Sequence, residues 1–364
     1  MVSILILISH YKNREKICIF AVSKGGYNPL LKQTLYKPSA EKSVLNNTTM
    51  DSENLKKEIV RLKKEKNAVI LGHYYQRDEI QDLSDYIGDS LALAQKAQQC
   101  DNDIIVFCGV HFMAETAKIL NPSRKVLLPD LEASCSLAES CEGGAFARFK
   151  AEHPDHMVIS YINCSAEIKA LSDLICTSGN AEKLVRALPE EQKIIFAPDK
   201  NLGGYINSVT GRNMLLWDGV CMVHDAMRAE NVLKLKIEHP VAAVIAHPEC
   251  NGALLKVADF VGSTKAMLTY IQQSGKKKFI VATETGILYE MRKNNPDKEF
   301  IVVPMGDNCN CADCSYMKLN TLEKLYLCLR DEKPEIVMSP ELIEQAKKPI
   351  VRMLDMSKQL GIIK

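Results

Sequence analysis

The chain has no apolar run long enough to cross a bilayer: Ile4–Ile8, near its start, is five residues long, against the roughly 20 that a membrane helix needs. It also lacks a large net charge. The total is +1 over 364 residues, but residues 1–50 carry +5 and residues 51–364 carry −4. A mildly acidic body offers no broad basic face to a nucleic-acid backbone. Glycine and proline, at 18 and 14, are too sparse for a collagen-like or linker-dominated chain, and 46% hydrophobic residues argue against wholesale disorder. The length allows one large domain or two to three smaller ones, each with its own core. Small molecules are the expected partners, with no nucleic acid and no membrane.

Cysteine, by contrast, is plentiful. Thirteen is an odd number, in a chain much larger than the small secreted domains that depend on disulfides. It points to a reducing, cytoplasmic setting in which clustered thiols bind metal rather than each other.

Residues 1–49 make a poor signal segment, because no positive n-region precedes the apolar piece and charges follow closely. Met50 opens MDSENLKKEIVRLKKEKNAVILGHYYQ, in which an acidic start leads into an amphipathic helix and then a strand. Residues 1–49 are therefore expected to be a non-native or disordered extension.

From there the sequence repeats. Three segments open on a β-rich run, VILGHYYQ from Val69, VISYINCS from Val158 and VIAHPECN from Val244. Each leads through a helical stretch to Asp, two apolar residues and a hydroxyl: DYIGDS from Asp85, DLICTS from Asp173 and DFVGST from Asp259. An amphipathic helix and another strand follow. Short apolar runs alternating with helical periodicity indicate buried parallel strands with crossover helices. The expected fold is α/β: three homologous small domains with parallel sheets around a pseudo-threefold axis, at residues 50–155, 156–241 and 242–330, with residues 331–364 as a C-terminal helical closure.

Ligands of parallel α/β units bind at the carboxyl ends of the strands. There the copies differ in chemistry and agree in spacing. Unit one carries His73 and Tyr75 with Ser90, unit two Tyr161 and Asn163 with Ser178, and unit three His247 and Glu249 with Thr264; the second member precedes the hydroxyl by 15 residues each time. Each hydroxyl alone reads as a plain helix N-cap, which common descent would preserve equally well. Together, three helix N-termini that favour anions, beside six His, Tyr, Asn and Glu side chains, point to a centre that binds a polyanionic small molecule.

Three cysteines recur after the third strand of each unit: Cys135, Cys221 and Cys314, separated by 86 and 93 residues. Equivalent residues lie equally far from a threefold axis, so their thiols can converge. Three thiolates match three corners of a [4Fe–4S] cube, and thiolate-only ligation points to Fe–S or zinc. Cys309, Cys311 and Cys314 also form C-x-C-x-x-C, a motif for local zinc or a redox pair. Cys100, Cys108, Cys164, Cys176, Cys250 and Cys328 read as small buried hydrophobes.

These segments, together with FCGVHFMAETAKIL, PDLEASCSL, PDKNLGGYI, CMVHDAM, VGSTKAM, TETGILYEM and CSYMKLN, resemble the quinolinate synthase family, iron–sulfur enzymes of de novo NAD biosynthesis. The resemblance runs from about residue 60 to 330, with most of the tail. It implies a [4Fe–4S] cluster on Cys135, Cys221 and Cys314, and a transferase reaction condensing iminoaspartate with dihydroxyacetone phosphate to quinolinate, phosphate and two waters. It also implies a companion enzyme that supplies iminoaspartate. In that reading Glu249 with His247 shuttles a proton, and Tyr161 and Tyr75 supply phenolic donors. His73, Asn163, Ser90, Ser178, Ser263 and Thr264 hold carboxylates and phosphate. The competing expectations are another [4Fe–4S] hydro-lyase and a zinc or redox-switch protein. The second leaves the repeated strand-end residues without a role.

Overall fold

A computed structural model describes the backbone of residues 3–11 and 14–22 and, with side chains, residues 50–305 and 312–363. The chain divides into two units, residues 1–49 and 50–364. In the first, β1 (Ser3–Tyr11) and β2 (Arg14–Val22) pair antiparallel, with Ser3 opposite Val22. The rest of that stretch, and with it the expectation of a disordered extension, lies outside the described residues.

Residues 50–364 hold three parallel sheets of four strands. The first contains β3 (Ala68–His73), β4 (Tyr86–Gly88), β5 (Ile104–Cys108) and β6 (Lys125–Leu127); the second β7 (Met157–Tyr161), β8 (Leu174–Cys176), β9 (Ile194–Ala197) and β10 (Leu215–Leu216). The third contains β11 (Ala243–Ala246), β12 (Phe260–Val261), β13 (Lys278–Ala282) and β14 (Glu299–Val302). In every sheet the first strand of the unit is flanked by the second and third, and the fourth lies outside the third. The triplication is thus three small α/β domains of one topology.

The local reasons are visible in the residues. β3 reads AVILGH and is buried at all six positions, the continuous pattern of a strand covered on both faces. Each buried Val, Ile or Leu contributes about 1.5–3 kcal/mol relative to exposure. The crossover helix Ser90–Gln99 buries Leu91, Leu93, Ala94 and Ala97 on one side.

The repeated aspartates have a structural task. Asp85, Asp173 and Asp259 each accept, through a carboxylate oxygen, the backbone N–H of Ile70, Val158 and Val244 at 2.8, 2.7 and 2.8 Å. The aspartate's own N–H returns a bond to the same residue's carbonyl. That clamp aligns β4, β8 and β12, which at three, three and two residues are too short to announce themselves by periodicity. Counting them, Cys135, Cys221 and Cys314 follow the fourth strand of their units, not the third.

The tail packs across units. Helix Leu322–Asp331, which the repeat places with the third unit, buries Leu322, Leu325, Cys328 and Leu329 beside Ile70 and Val106 of the first sheet. Ile336 N donates to Val126 O at 2.9 Å, adding an antiparallel edge to β6. Helix Pro340–Gln359 buries Ile350, Met353 and Leu354 in a cluster shared by the first two units. Among the described residues no helix is long and apolar enough to cross a membrane.

Candidate active site

One cavity lies where loops from the strand ends of all three units meet, lined among others by His73, Tyr75, Ser90, Tyr161, Asn163, Ser178, His247, Glu249 and Thr264. Cys135, Cys221 and Cys314 line the same cavity. Ser263, expected with them, is not on that wall. It is the N-cap of helix Thr264–Gln273, where its Oγ accepts from Ala266 N at 3.3 Å.

In units one and three the cap sits one residue before the hydroxyl that faces the cavity. Asp89 caps helix Ser90–Gln99, accepting from Ala92 N at 2.9 Å, so Ser90, like Thr264, is the first helical residue. In unit two Thr177 N donates to Asn180 Oδ1 at 2.6 Å, and Ser178 stands in the turn between them. In units one and three the capping is therefore done by the preceding residue, and the hydroxyls of Ser90 and Thr264 stand beside N-terminal amides without capping them.

The two strand-end histidines share a geometry that settles their tautomers. His73 Nδ1 accepts Tyr75 N–H at 3.1 Å, and His247 Nδ1 accepts Glu249 N–H at 3.3 Å. An accepting Nδ1 carries no proton, so both rings hold theirs on Nε2. For His247 that nitrogen faces Ser178 Oγ at 3.3 Å. Burial pushes both imidazoles down to about 3, against the pull of Glu249. They are neutral donors.

Glu249 joins the units. Its Oε1 accepts Tyr161 OH at 2.6 Å and its Oε2 lies 3.2 Å from His224 Nδ1. His224 Nε2 is 2.9 Å from Thr283 Oγ1, which is 2.8 Å from Tyr75 OH. A chain of polar contacts therefore runs from Tyr161 through Glu249, His224 and Thr283 to Tyr75, with His224 Nδ1 also 3.2 Å from Cys221 Sγ. Burial raises the Glu249 carboxyl, but the two imidazoles and the bonds from His224 and Tyr161 outweigh it and hold the group well below the usual carboxylate range. Burial and the Glu249 charge push both phenols well above theirs. The site pairs an ionised carboxylate with two neutral phenols.

The three thiols are free and half-buried. Cys135 and Cys221 are N-caps of the short helices Ser136–Glu139 and Met222–Asp225. Neither Cys135 nor Cys221 uses its sulfur to cap its helix. Burial pushes Cys135 up to about 12 and raises the other two. As free thiols they keep their protons, and a bound metal centre would reverse that preference. One atom each of Cys221, His224 and Glu249 also lies within 4.8 Å of the others, a group able to hold a metal ion. The donor set fits a thiolate-ligated centre. Cys309 and Cys311, the other members of C-x-C-x-x-C, lie outside the described residues.

The model of the quinolinate synthetase A protein family matches residues 57–355. The chain belongs to the quinolinate synthetase A family. Proteins named quinolinate synthase match it at high identity: that of Microcystis aeruginosa is 60% identical over 299 residues, covering 82% of this chain and 94% of its own. That of Chloroherpeton thalassium is 58% identical over 323 residues, covering 88% and 99%, and that of a Synechocystis strain 60% over 299 residues, covering 82% and 94%.

Within this family member, sequence reasoning assigned no role to Thr283 and Glu284, although both lie in the TETG segment that follows β13. His224, three residues after Cys221 in the CMVHDAM segment, stands beside it, with Nδ1 3.2 Å from Cys221 Sγ. Asp199 and Lys200 separate: Asp199 is fully buried and accepts Leu202 N at 2.8 Å, with its other oxygen unpartnered, whereas Lys200 pairs with Asp218 at 2.7 Å on the surface. Asn163 Oδ1 is buried without a partner in the cavity wall, a vacancy suited to a ligand's donor.

Proposed function

We propose that the chain is a quinolinate synthase, condensing iminoaspartate with dihydroxyacetone phosphate to quinolinate with loss of phosphate and two waters. The observation that carries this reading is the meeting, on one cavity wall, of equivalent strand-end side chains from three units with three unpaired thiols. The same meeting supports a pseudo-threefold arrangement of units at about residues 50–155, 156–241 and 242–330.

Cys135, Cys221 and Cys314 hold a [4Fe–4S] cluster in this reading. Bound there, the cluster supplies a Lewis acid that polarises a carbonyl or hydroxyl oxygen.

The chain's own residues do the rest. Ser90 and Thr264, each opening a ten-residue helix, add hydroxyls to N-terminal amides that favour carboxylate and phosphate. His73 and His247 donate Nε2–H without adding charge, and Asn163 meets a donor with its free oxygen. Glu249 is the base: ionised and fixed at both oxygens, it takes a proton from carbon beside the triose carbonyl and returns it to the neighbouring atom. His224 and Tyr161 hold it in place. Tyr75, bonded through Thr283, donates toward a departing oxygen. Burial at this wall excludes water from the unstable imine. A companion enzyme supplies iminoaspartate, and the free state of the ten described cysteines suits a reducing cytoplasm.

The test is an anaerobic assay of quinolinate formation with iron and sulfide analysis. A brown protein with about four irons per chain that forms quinolinate is expected. A colourless zinc protein, or an iron-loaded one that forms none, overturns the reading.

A further inference from the structure

The three cysteines are held in place by unlike means. Cys135 and Cys221 each begin a helical turn, and their carbonyls accept from Glu139 N and Asp225 N at 2.9 Å. Cys314 precedes only the three-residue 3-10 turn Met317–Leu319, and its carbonyl accepts a longer bond, 3.2 Å, from Lys318 N. Its backbone instead leans on a side chain. Glu284, 1% exposed, accepts Cys314 N–H on Oε1 at 3.0 Å and Gly286 N–H on Oε2 at 2.7 Å. Lys318 Nζ stands 3.1 Å from the same Oε1 and also donates to Tyr75 O at 2.7 Å. Arg77 closes the connection, donating from Nε and Nη2 to Lys318 O at 3.1 and 2.8 Å. Gly286 lies so close to Tyr75 that a Cβ there would meet its backbone at 2.7 Å.

We infer that Glu284 is a positioning residue: through Cys314 N–H, Gly286 N–H and Lys318 it sets the third thiol against the Tyr75 side of the cavity. A buried carboxylate with charge-assisted bonds to two amides and an ammonium is stiff, because each bond is costly to leave unmade. Removing it loosens Cys314, leaving the bonds of Thr285 to Ala312 and Asp313, without touching the turns that hold Cys135 and Cys221. The inference rests on the proposed function only for the meaning of Cys314 as a cluster ligand; its geometric content stands on the apo-chain.

The test reads each cysteine separately. Apo-protein is treated with iodoacetamide under reducing, anaerobic conditions, and alkylation of Cys135, Cys221 and Cys314 is followed by mass spectrometry. In Glu284→Ala the Cys314 rate rises about tenfold or more, from the loss of buried charge-assisted bonds, while the other two stay as in wild type. Glu284→Gln, which keeps one acceptor, gives a smaller rise. Lys318→Ala, at a partly exposed position, also raises Cys314 alone, and adding it to Glu284→Ala adds little. In iron-loaded protein the same variants lose iron to a chelator faster than wild type.

An unchanged Cys314 rate in a folded Glu284→Ala overturns the inference, as does an equal rise at all three cysteines, which marks general loosening. Should Glu284→Ala not fold, unchanged rates in both Glu284→Gln and Lys318→Ala overturn it equally. Wild type that binds no iron and forms no quinolinate refutes the proposed function, and the alkylation pattern still decides the role of Glu284.

Discussion

Replacing Thr283 by valine keeps the shape of a fully buried side chain and deletes one hydroxyl. That hydroxyl is bonded on both sides, 2.9 Å from His224 Nε2 and 2.8 Å from Tyr75 OH. His224 is 2% exposed, so its ring nitrogen finds no water, and an unsatisfied buried polar group costs about 1–3 kcal/mol. Tyr75 OH borders the cavity, where water can replace the lost partner, so its share is nearer about 0.5–1.5 kcal/mol. The sum is about 1.5–4.5 kcal/mol. For a folded body of roughly 315 residues the unfolding entropy is about 0.7 kcal/mol/K, so the melting midpoint falls by about 2–6 °C. Thr283→Ser keeps the hydroxyl and loses a methyl group, costing about 1 kcal/mol and about 1–2 °C. The assay is thermal unfolding of reduced apo-protein followed by circular dichroism, with all three proteins under one buffer. A valine variant that melts at or above the serine variant would refute the bonded chain. Turnover gives a second reading: valine separates Tyr75 from His224 and should cost about 10–100-fold, whereas serine retains most activity.

Alanine at Cys135, Cys221 or Cys314 should each abolish bound iron, whereas alanine at Cys309 or Cys311 should not; iron retained in Cys314→Ala and lost in Cys311→Ala would reassign the ligand. Glu249→Gln should keep its iron and lose about 10²-fold or more in kcat, the usual scale of a lost general base; wild-type turnover would remove it from the proton transfer. His73 supplies a pH test. Its folded value of about 3 lies below the unfolded 6.5, so between those values the unfolded chain binds a proton that the folded one does not, and stability falls as pH drops below about 6.5. At about pH 5 this amounts to up to about 2 kcal/mol. Urea unfolding at about pH 5 and pH 7.5 should show a smaller pH dependence in His73→Gln, and equal slopes would count against a neutral buried ring.

Much of the fold was legible because a repeated sequence reports its own architecture. Ile70, Val158 and Val244 take the same place in three sheets, and Asp85, Asp173 and Asp259 recur because each clamps a two- or three-residue strand to its neighbour. Those strands were themselves illegible, being shorter than one period of alternation can establish. The role of the hydroxyls was legible only to within one residue. Ser, Thr and Asp all make good N-caps, so DS and ST pairs do not say which member caps and which faces the cavity. Ser263 takes the first role and Thr264 the second.

The sequence alone determined the three α/β domains, the strand-end residues that line the cavity, and the family to which the chain belongs. Spacing carried that information, because local periodicity and internal repetition are properties of the chain itself. Only the tertiary structure decided the pairings. Thr283 and His224 are 59 residues apart and Tyr161 and Glu249 are 88 apart, with no covalent spacing that requires them to meet. Glu284 and Cys314 come together across 30 residues in the same way. Such contacts arise when three units bury their loop ends against one another, and the side chains trapped there must satisfy each other's hydrogen bonds in the absence of water.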